Sequence, residues 1–411
     1  MKRIETLVIG AGQAGLAMSC CLSDRAIPHV VLERGAVANS WRHERWDSLR
    51  MLTPNWQSRL PGYRYQGTDP DGFMSMPEVV GYLQGYATAI DAPVEEHTTV
   101  QSVTAEGAGY VVMTNRGTWR CEQLVLATGA CNLATVPSLA AQMPSRVNQI
   151  TAMAYRNPGQ LAEGGVLVIG ASATGVQLAA EIRAAGHEVF LSAGEHIRMP
   201  RHYRGRDIQW WMDRSGLHAT RIDEVDDPAR ARRVPSLQLV GSNARRFCDL
   251  NALMASGIEI VGRLAGIRDG TALFSGGLAN HCALSDLKMN RLLDTLDEWA
   301  DATGIEGLAP VERFAPTACP KDARLSLSLS DGRIRTIIWA TGYRPDYRWM
   351  QLPVFGRKGE LLHREGLVAP GLYVLGLPFQ RRRNSALLDG VGDDAAALAD
   401  HIHASRGRTA A

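Results

Sequence analysis

Lysine is nearly missing from this chain. Only Lys2, Lys288, Lys321 and Lys358 occur among 44 basic residues, so 40 are arginines and a cluster of arginines carries less information than it would elsewhere. A charge excess is missing too: 44 basic against 42 acidic side chains give a formal net charge of +2 over 411 residues. That argues against the broad positive field with which proteins gather nucleic acid or an anionic membrane surface. Paired cysteines are absent. Cys20, Cys21, Cys121, Cys131, Cys248, Cys282 and Cys319 show no C-x-x-C or C-x-x-x-x-C spacing, which argues against a zinc site, a disulfide framework and a redox-active dithiol. No stretch reaches the roughly 18 apolar residues of a membrane span, and Lys2-Arg3-Ile4-Glu5-Thr6 leads straight into an apolar run without leader-like features. A soluble, cytoplasmic protein is expected. What is present is an ordinary globular composition, 45% hydrophobic and 21% charged, at a length that suggests two to three domains of about 150 residues.

The first informative segment is Leu7-Val8-Ile9-Gly10-Ala11-Gly12-Gln13-Ala14-Gly15-Leu16-Ala17-Met18, an apolar run, then G-x-G-x-x-G, then helical periodicity. A second apolar run, His29-Val30-Val31-Leu32, ends in Glu33, 23 residues beyond Gly10. That is close to the roughly 20 residues between a dinucleotide-binding glycine turn and the acid that takes ribose hydroxyls. Gly10 permits the tight turn, Gly12 lets a pyrophosphate reach bare backbone, and Gly15 lets helix and strand pack closely. The phosphates then meet unpaired N–H groups at the positive end of the helix. Such spacing alone marks any tight strand-to-helix turn, but here strands, helix and acid are all in register.

A similar pattern recurs at Val166-Leu167-Val168-Ile169-Gly170-Ala171-Ser172-Ala173-Thr174-Gly175, with helix-like residues 176–185 and a strand at 188–192. Ser172 replaces the middle glycine, and Ser192 stands where an acid would end the second strand. Arg198, Arg201, Arg204 and Arg206 follow. Losing the acid and gaining cations favours a 2′-phosphate, hence NADPH over NADH; the arginine-rich composition is the competing explanation.

Leu124-Val125-Leu126-Ala127-Thr128-Gly129 and Ile337-Ile338-Trp339-Ala340-Thr341-Gly342-Tyr343 are near copies, each a buried-looking strand ending at a permissive turn. Asp389-Gly390-Val391-Gly392-Asp393-Asp394 is a glycine-rich turn feeding a helix, with N–H groups suited to a flavin's electron-rich edge. Residues 98–119 read as β-rich. Residues 285–303, with Leu287, Leu292, Leu293, Leu296 and Trp299 at helical spacing, read as core. The tail 406–411 reads as frayed. The expected fold is α/β with two Rossmann-like, doubly wound βαβ dinucleotide-binding domains, the second inserted into the first: residues 1–145 with 343–411, and residues 146–342.

Together these motifs resemble the two-dinucleotide flavoproteins, and within them the flavin-containing monooxygenases and related Baeyer–Villiger enzymes, over nearly the whole length. Ser40-Trp41 sits where that family has G-G-x-W, and Leu52-Thr53-Pro54-Asn55 resembles its segment with an active-site asparagine. Phe73-Met74-Ser75-Met76-Pro77 and Tyr82-Leu83-Gln84-Gly85-Tyr86-Ala87 are similar to its F-P-x and Y-L-x-x-Y-A region. The resemblance implies FAD on the first unit, NADPH on the second, and oxygenation of a small organic substrate by O2 through a peroxyflavin. One departure stands out. The fingerprint F-x-G-x-x-x-H-x-x-x-Y/W ends well at Tyr155, yet Ser145, Val147 and Thr151 occupy its Phe, Gly and His positions. An FAD-dependent NADPH oxidase or reductase without oxygen insertion is therefore a live rival, and a non-enzymatic redox sensor is a third class.

In such chemistry the cofactor carries the reaction and the protein orients, polarises and excludes water. Asn55 is the catalytic candidate, its amide able to hydrogen-bond a flavin peroxide or nicotinamide, against the alternative of an ordinary turn residue. Gln13, Ala14, Arg34, Trp41, Arg42, Leu52, Val100, Ala127, Thr128 and Gly129 complete the expected FAD contacts, with Asp389 and Gly392 at the carboxy-terminal turn. Gly170, Ser172, Ala173, Thr174, Gly175, Ser192, Arg198 and Arg201 are the expected NADPH set, while Ala340, Thr341 and Gly342, which with Tyr343 look like that family's linker to the carboxy-terminal flavin segment, are expected to contact a cofactor. Trp46 and Trp56 are as well explained by packing. Arg381-Arg382-Arg383 reads either as a solvated charge run or as an entrance for an anionic compound. No histidine spacing suggests a metal or a triad, and a homodimer is the default assembly.

Overall fold

The chain forms two parallel-stranded sheets with helices against them, in a computed structural model that describes residues 1–409. The first sheet has eight strands. Its parallel part runs Leu372–Val374, Gly117–Leu126, Lys2–Ile9, His29–Leu32, Val94–Glu95. An antiparallel meander, Val100–Glu106 and Gly109–Thr114, folds onto Gly117–Leu126, as residues 98–119 predicted.

Strand alternation sends successive residues to opposite faces. Val8 and Val125 thus meet the helices Gln13–Ser23, Met76–Ala89 and Val391–Thr409 through Leu16, Val79, Leu83, Leu398 and Ile402. Leu7, Ile9, Leu124 and Leu126 meet the meander and the segment carrying Met350 and Leu352 on the other face. Because both faces are covered, the strands read as continuous apolar runs.

The second sheet is parallel throughout, in the order Asn148–Thr151, Ile334–Trp339, Gly165–Ile169, Val189–Ala193, Glu259–Gly262. Every residue of Gly165–Ile169 and Val189–Ala193 is buried. The helices Ala173–Ala184 and Leu250–Ala255 cover one face. The antiparallel strands Leu264–Arg268, Thr271–Phe274 and Ser326–Ser328 cover the other.

The long helix Leu278–Thr303 buries Met289, Leu293 and Leu296 against Tyr203, Ile208 and Trp211. Leu287, expected in the core, is instead 45% exposed on its outer face. The short strands Leu133–Ala134 and Tyr343–Arg344 pair antiparallel, so the two chain segments passing between the sheets run side by side. The helix Val391–Thr409 continues past Arg406, which is tied to Glu5 at 2.7 Å, so fraying does not begin there; Ala410 and Ala411 lie outside the described residues.

Candidate cofactor and substrate site

Each glycine turn is locked against an A-T-G turn. Gly10 has φ +106°, and a Cβ on it would stand 2.6 Å from the Ala127 carbonyl oxygen; on Gly15 it would stand 1.8 Å from the Gly10 carbonyl oxygen and 3.5 Å from Ala127 Cβ. The second unit repeats this. Gly170 has φ +108° with Ala340 O at 2.4 Å, and Gly175 meets Gly170 O at 1.7 Å and Ala340 Cβ at 3.6 Å. Strand ends match as well: Gly10 N donates to Leu32 O and Ala127 N to Ile9 O, while Gly170 N donates to Ser192 O and Ala340 N to Ile169 O. Only glycine at the turn and a small residue opposite it allow this approach.

Gly12 is different, for a Cβ there would meet nothing within 4 Å. No protein contact demands glycine at 12, so its missing side chain leaves a notch at the helix start, where a pyrophosphate fits. The helix Gln13–Ser23 has no side-chain cap over its first N–H groups, which leaves them to a ligand. Glu33 is buried at the adjoining strand end, its Oε2 accepting from Ala11 N at 2.8 Å and its Oε1 from Gly35 N at 3.1 Å. Ser172 occupies the corresponding N-cap of Ala173–Ala184, and its hydroxyl makes no cap there. Thr174 bonds the hydroxyl of the half-buried Tyr343, whose pKa burial raises.

Around the first turn, Trp41 Nε1 donates to Gln13 Oε1 at 3.2 Å, and Gln13 Nε2 reaches Ala386 O at 3.4 Å. Trp41 thus walls this side while Trp46 sits in the second core. Arg34 pairs with Glu44, and Arg42 is exposed. Thr128 O accepts from Asn132 Nδ2 at 2.8 Å, and the space beside Gly129 is open, as it is beside Gly342. Thr341 donates to Thr135 O. Val100 is half-buried at the start of the meander. Asn55 is buried with its amide engaged: Nδ2 donates to Asp69 O at 2.9 Å and Oδ1 accepts from Met74 N at 2.8 Å. It clamps the 69–74 loop to the turn that follows Leu52.

Sequence reasoning missed a buried polar cluster beside the carboxy-terminal turn. Asp389 Oδ2 accepts from Gln57 Nε2 at 2.9 Å and lies 3.4 Å from Arg59, which also holds Asp213 at 2.6 Å. His218 Nε2 bonds Gln209 Oε1 at 2.9 Å. Burial lowers the His218 pKa against the opposing charges of Asp389 and Asp213. Asn384 N donates to His218 O, and its backbone packs on Gly390. Gln57 Oε1, Ser58 Oγ, His218 Nδ1, Asn384 Oδ1 and Asp389 Oδ1 are buried without a protein partner. Such atoms cost about 1–3 kcal/mol each unless something satisfies them. Gly392 backs onto Pro61, at 3.0 Å for an added Cβ. Burial also lifts the neighbouring Asp394 to about 6.

Three of the expected NADPH contacts are engaged inside the protein instead. Arg198 is 3% exposed and holds Asp249 at 2.7 Å, Asp286 at 2.8 Å and Ala315 O at 2.8 Å. Arg201 is 1% exposed, bidentate on Asp207 at 2.7 and 2.8 Å, and donates to Leu52 O at 2.7 Å. Their donors are spent inside the protein, so neither is free for a 2′-phosphate. Ser192 is likewise committed, donating to Gly262 O and accepting from Leu264 N. The broken fingerprint has a structural job at its end, where Arg156 donates to the carbonyls of His43, Arg45 and Met153 and its own carbonyl accepts from Asp47 N.

One mixed and one parallel sheet, each with its glycine turn mated to an A-T-G turn, define an α/β protein of two Rossmann-like dinucleotide-binding units. Residues 7–210 match the pyridine nucleotide-disulphide oxidoreductase family model. A CzcO-like oxidoreductase of Geobacillus kaustophilus, named as uncharacterised, is 31% identical over 403 residues, covering 97% of this chain and 98% of its own. Over 49% of this chain, a probable indole-3-pyruvate monooxygenase of Arabidopsis thaliana, covered over 49% of its own length, is 27% identical. Among solved structures, a flavin-containing monooxygenase from Stenotrophomonas maltophilia superposes with a TM-score of 0.68 at 19% identity, covering 98% of this chain and 99% of that one. The chain belongs to the CzcO-like oxidoreductases. Among the described residues no helix is long and apolar enough to cross a membrane, and no cluster of His, Cys, Asp and Glu could hold a metal.

Proposed function

We propose that this chain is an FAD- and NADPH-dependent monooxygenase acting on a small organic molecule at nitrogen, sulfur or a carbonyl carbon. The observation that carries the reading is the open notch at Gly12, set beside the buried Glu33 and two hydrogen bonds (Trp41–Gln13–Ala386) away from the unsatisfied acceptors around Asp389. Residues 1–145 and 343–411 hold FAD in this reading, and residues 146–342 hold NADPH. FAD, when bound, supplies hydride acceptance and oxygen activation. The protein's part is to hold the pyrophosphate on the uncapped N–H groups of Gln13–Ser23, receive the ribose at Glu33, and shut water out with Trp41 and the Asn55-clamped loop.

With Arg198 and Arg201 committed, Arg204 held by Asp297 and Arg206 set over the Trp210 ring, Arg263 is the cation we assign to a 2′-phosphate. It is exposed at the end of Glu259–Gly262, in no ion pair among the described residues, with its stem 3.2 Å from a Cβ placed on Gly194, two residues past Ser192.

Thr151 at the fingerprint's histidine position favours a second reading, an oxidase or reductase that inserts no oxygen. Coupling separates the two. The FAD-loaded protein is supplied with NADPH, O2 and a panel of amines, sulfides and ketones, and oxygenated product and hydrogen peroxide are counted per NADPH. Product matching NADPH for any member supports the monooxygenase; one peroxide per NADPH across the panel supports the oxidase. A protein that does not take up FAD refutes both.

A further inference from the structure

The arginines around the 379–394 turn are not equivalent. Arg221 holds Asp223 at 3.0 Å and Glu365 at 3.1 Å. Arg381 lies 3.5 Å from Glu365 and 3.9 Å from Asp394, and Arg382 pairs with Asp393. Every carboxylate in contact with this group of arginines is thereby taken. Two guanidinium groups remain, Arg232 and Arg383, neither within ion-pair distance of a carboxylate among the described residues.

Both belong to one spot. Arg232 Nε donates to the Phe379 carbonyl at 3.3 Å, and the Arg383 guanidinium lies 5.3 Å from the Phe379 ring centroid. Phe379 itself is buried in left-handed backbone, φ +47°, a conformation that costs a bulky residue energy and is held only where the surroundings impose it. Both arginines are exposed, and the protein packed against each lowers its pKa by desolvation, with no partner to oppose the effect. Arg383 N donates to Thr220 O at 3.0 Å and the next residue, Asn384, joins His218 O to Gly390. The pair therefore stands directly beside the unsatisfied acceptors of the candidate site.

We infer that Arg383 and Arg232 form an anion-binding end of the substrate pocket, so that the molecule turned over here is an organic carboxylate. A guanidinium presents a planar fork of donors matched to a carboxylate, and such a contact gains most where the cation is desolvated and otherwise unpaired. The buried acceptors next to Arg383, Asn384 Oδ1 and His218 Nδ1, then receive hydrogen-bond donors from the rest of the molecule. This assignment rests on the reading of the site as an FAD- and NADPH-dependent one.

The test uses the FAD-loaded enzyme and matched probes, phenylacetate with phenylacetamide and hexanoate with hexanamide. Binding is followed through the flavin absorbance and by calorimetry, in the wild type and in Arg383→Gln, Arg232→Gln, Arg383→Lys and the neighbouring control Arg233→Gln, whose guanidinium turns back onto Ala229 O. The expected result is that at least one acid binds about tenfold or more tightly than its amide, as for one charge-assisted contact. Arg383→Gln erases that preference, Arg232→Gln weakens it, Arg383→Lys keeps part of it, and Arg233→Gln leaves it intact. Equal binding of acid and amide, no binding of either acid, or a preference that survives in both Gln variants overturns the inference. Flavin content and anaerobic reduction by NADPH are measured on the same samples. If the wild type neither holds FAD nor is reduced, the proposed function has failed; if it does both and shows no preference for acids, only the carboxylate assignment has.

Discussion

Gly12→Ala and Gly15→Ala remove the same hydrogen from the same turn and are expected to fail in opposite ways. At Gly15 the new Cβ would sit 1.8 Å from the Gly10 carbonyl oxygen, whereas ordinary contact begins at 3.4 Å. The helix Gln13–Ser23 must therefore withdraw by about 1.6 Å from a strand whose far side is fixed by Ala127. Overpacking of this kind costs about 1–3 kcal/mol, and two backbone segments that cannot rotate away put it at the upper end. At Gly12 the backbone angles, φ −86° and ψ −169°, suit any residue and the Cβ meets nothing. The expected cost to the fold is only the loss of a favoured N-cap residue, about 0.5–1 kcal/mol. The loss falls on the cofactor. A methyl group in the notch separates the pyrophosphate from about two charge-assisted N–H contacts of about 1.5–3 kcal/mol each, a weakening of FAD binding on the order of 100-fold or more. Urea unfolding of the apoproteins and FAD titration of each variant measure the two quantities separately. Full FAD occupancy in Gly12→Ala, or an apoprotein as destabilised as Gly15→Ala, would refute the reasoning.

Arg198→Ala is expected to destabilise the fold by about 3–5 kcal/mol, because it strands the buried Asp249, and to leave NADPH-over-NADH preference unchanged in whatever fraction folds; a stable variant with altered preference contradicts the assignment. Arg263→Ala is expected to raise the Kd for NADPH about tenfold and to leave NADH alone, by fluorescence titration; equal effects on both nucleotides count against it. Asp394 has a folded pKa of about 6 against an ordinary 3.8. Its neutral form is thus favoured by the native state, and it costs stability progressively as pH rises from about 4 through 6. Asp394→Asn should therefore gain on the order of 2–3 kcal/mol in the apoprotein at pH 7.5 and nothing at pH 4. An unfolding midpoint with the same pH dependence in variant and wild type would show that Asp394 is not the group responsible.

The two glycine motifs were legible because each encodes its own neighbourhood: strand, turn, helix and second strand lie within 31 consecutive residues, Lys2 to Leu32, in the first unit and 29, Gly165 to Ala193, in the second, and need no distant partner to be read. The A-T-G turns were visible as repeats, but their purpose was not. Ala127 is small because Gly10 and Gly15 press on it from more than 100 residues away, and Ala340 stands in the same relation to Gly170 and Gly175. Nothing in the local run distinguishes that demand from any other strand end. Leu287 was misplaced for a related reason. Helical spacing yields a stripe, and the stripe of Leu278–Thr303 that faces Trp211 is set by Met289, Leu293 and Leu296, leaving Leu287 outside it.

The arginines were illegible in principle. A sequence lists charges and leaves out what neutralises them, and Arg198 meets Asp249 and Asp286 at separations of 51 and 88 residues. In a chain with 40 arginines most guanidinium groups have structural work, and a cluster near a plausible phosphate position is weak evidence until each partner is known. Once Arg198 and Arg201 are bound inside the protein, the search for a phosphate ligand passes to Arg263, which no motif marks. The same sorting separates Arg383 from Arg381 and Arg382, three adjacent letters with one chemistry. The acceptors around Asp389 come from residues 57–58, 218 and 384–389, and only the fold brings them together. In this protein the glycine turns are written locally and the buried cluster around Asp389 is written across the whole chain, so the oxidoreductase class was within reach of the sequence while the sorting of the arginines had to wait for the structure.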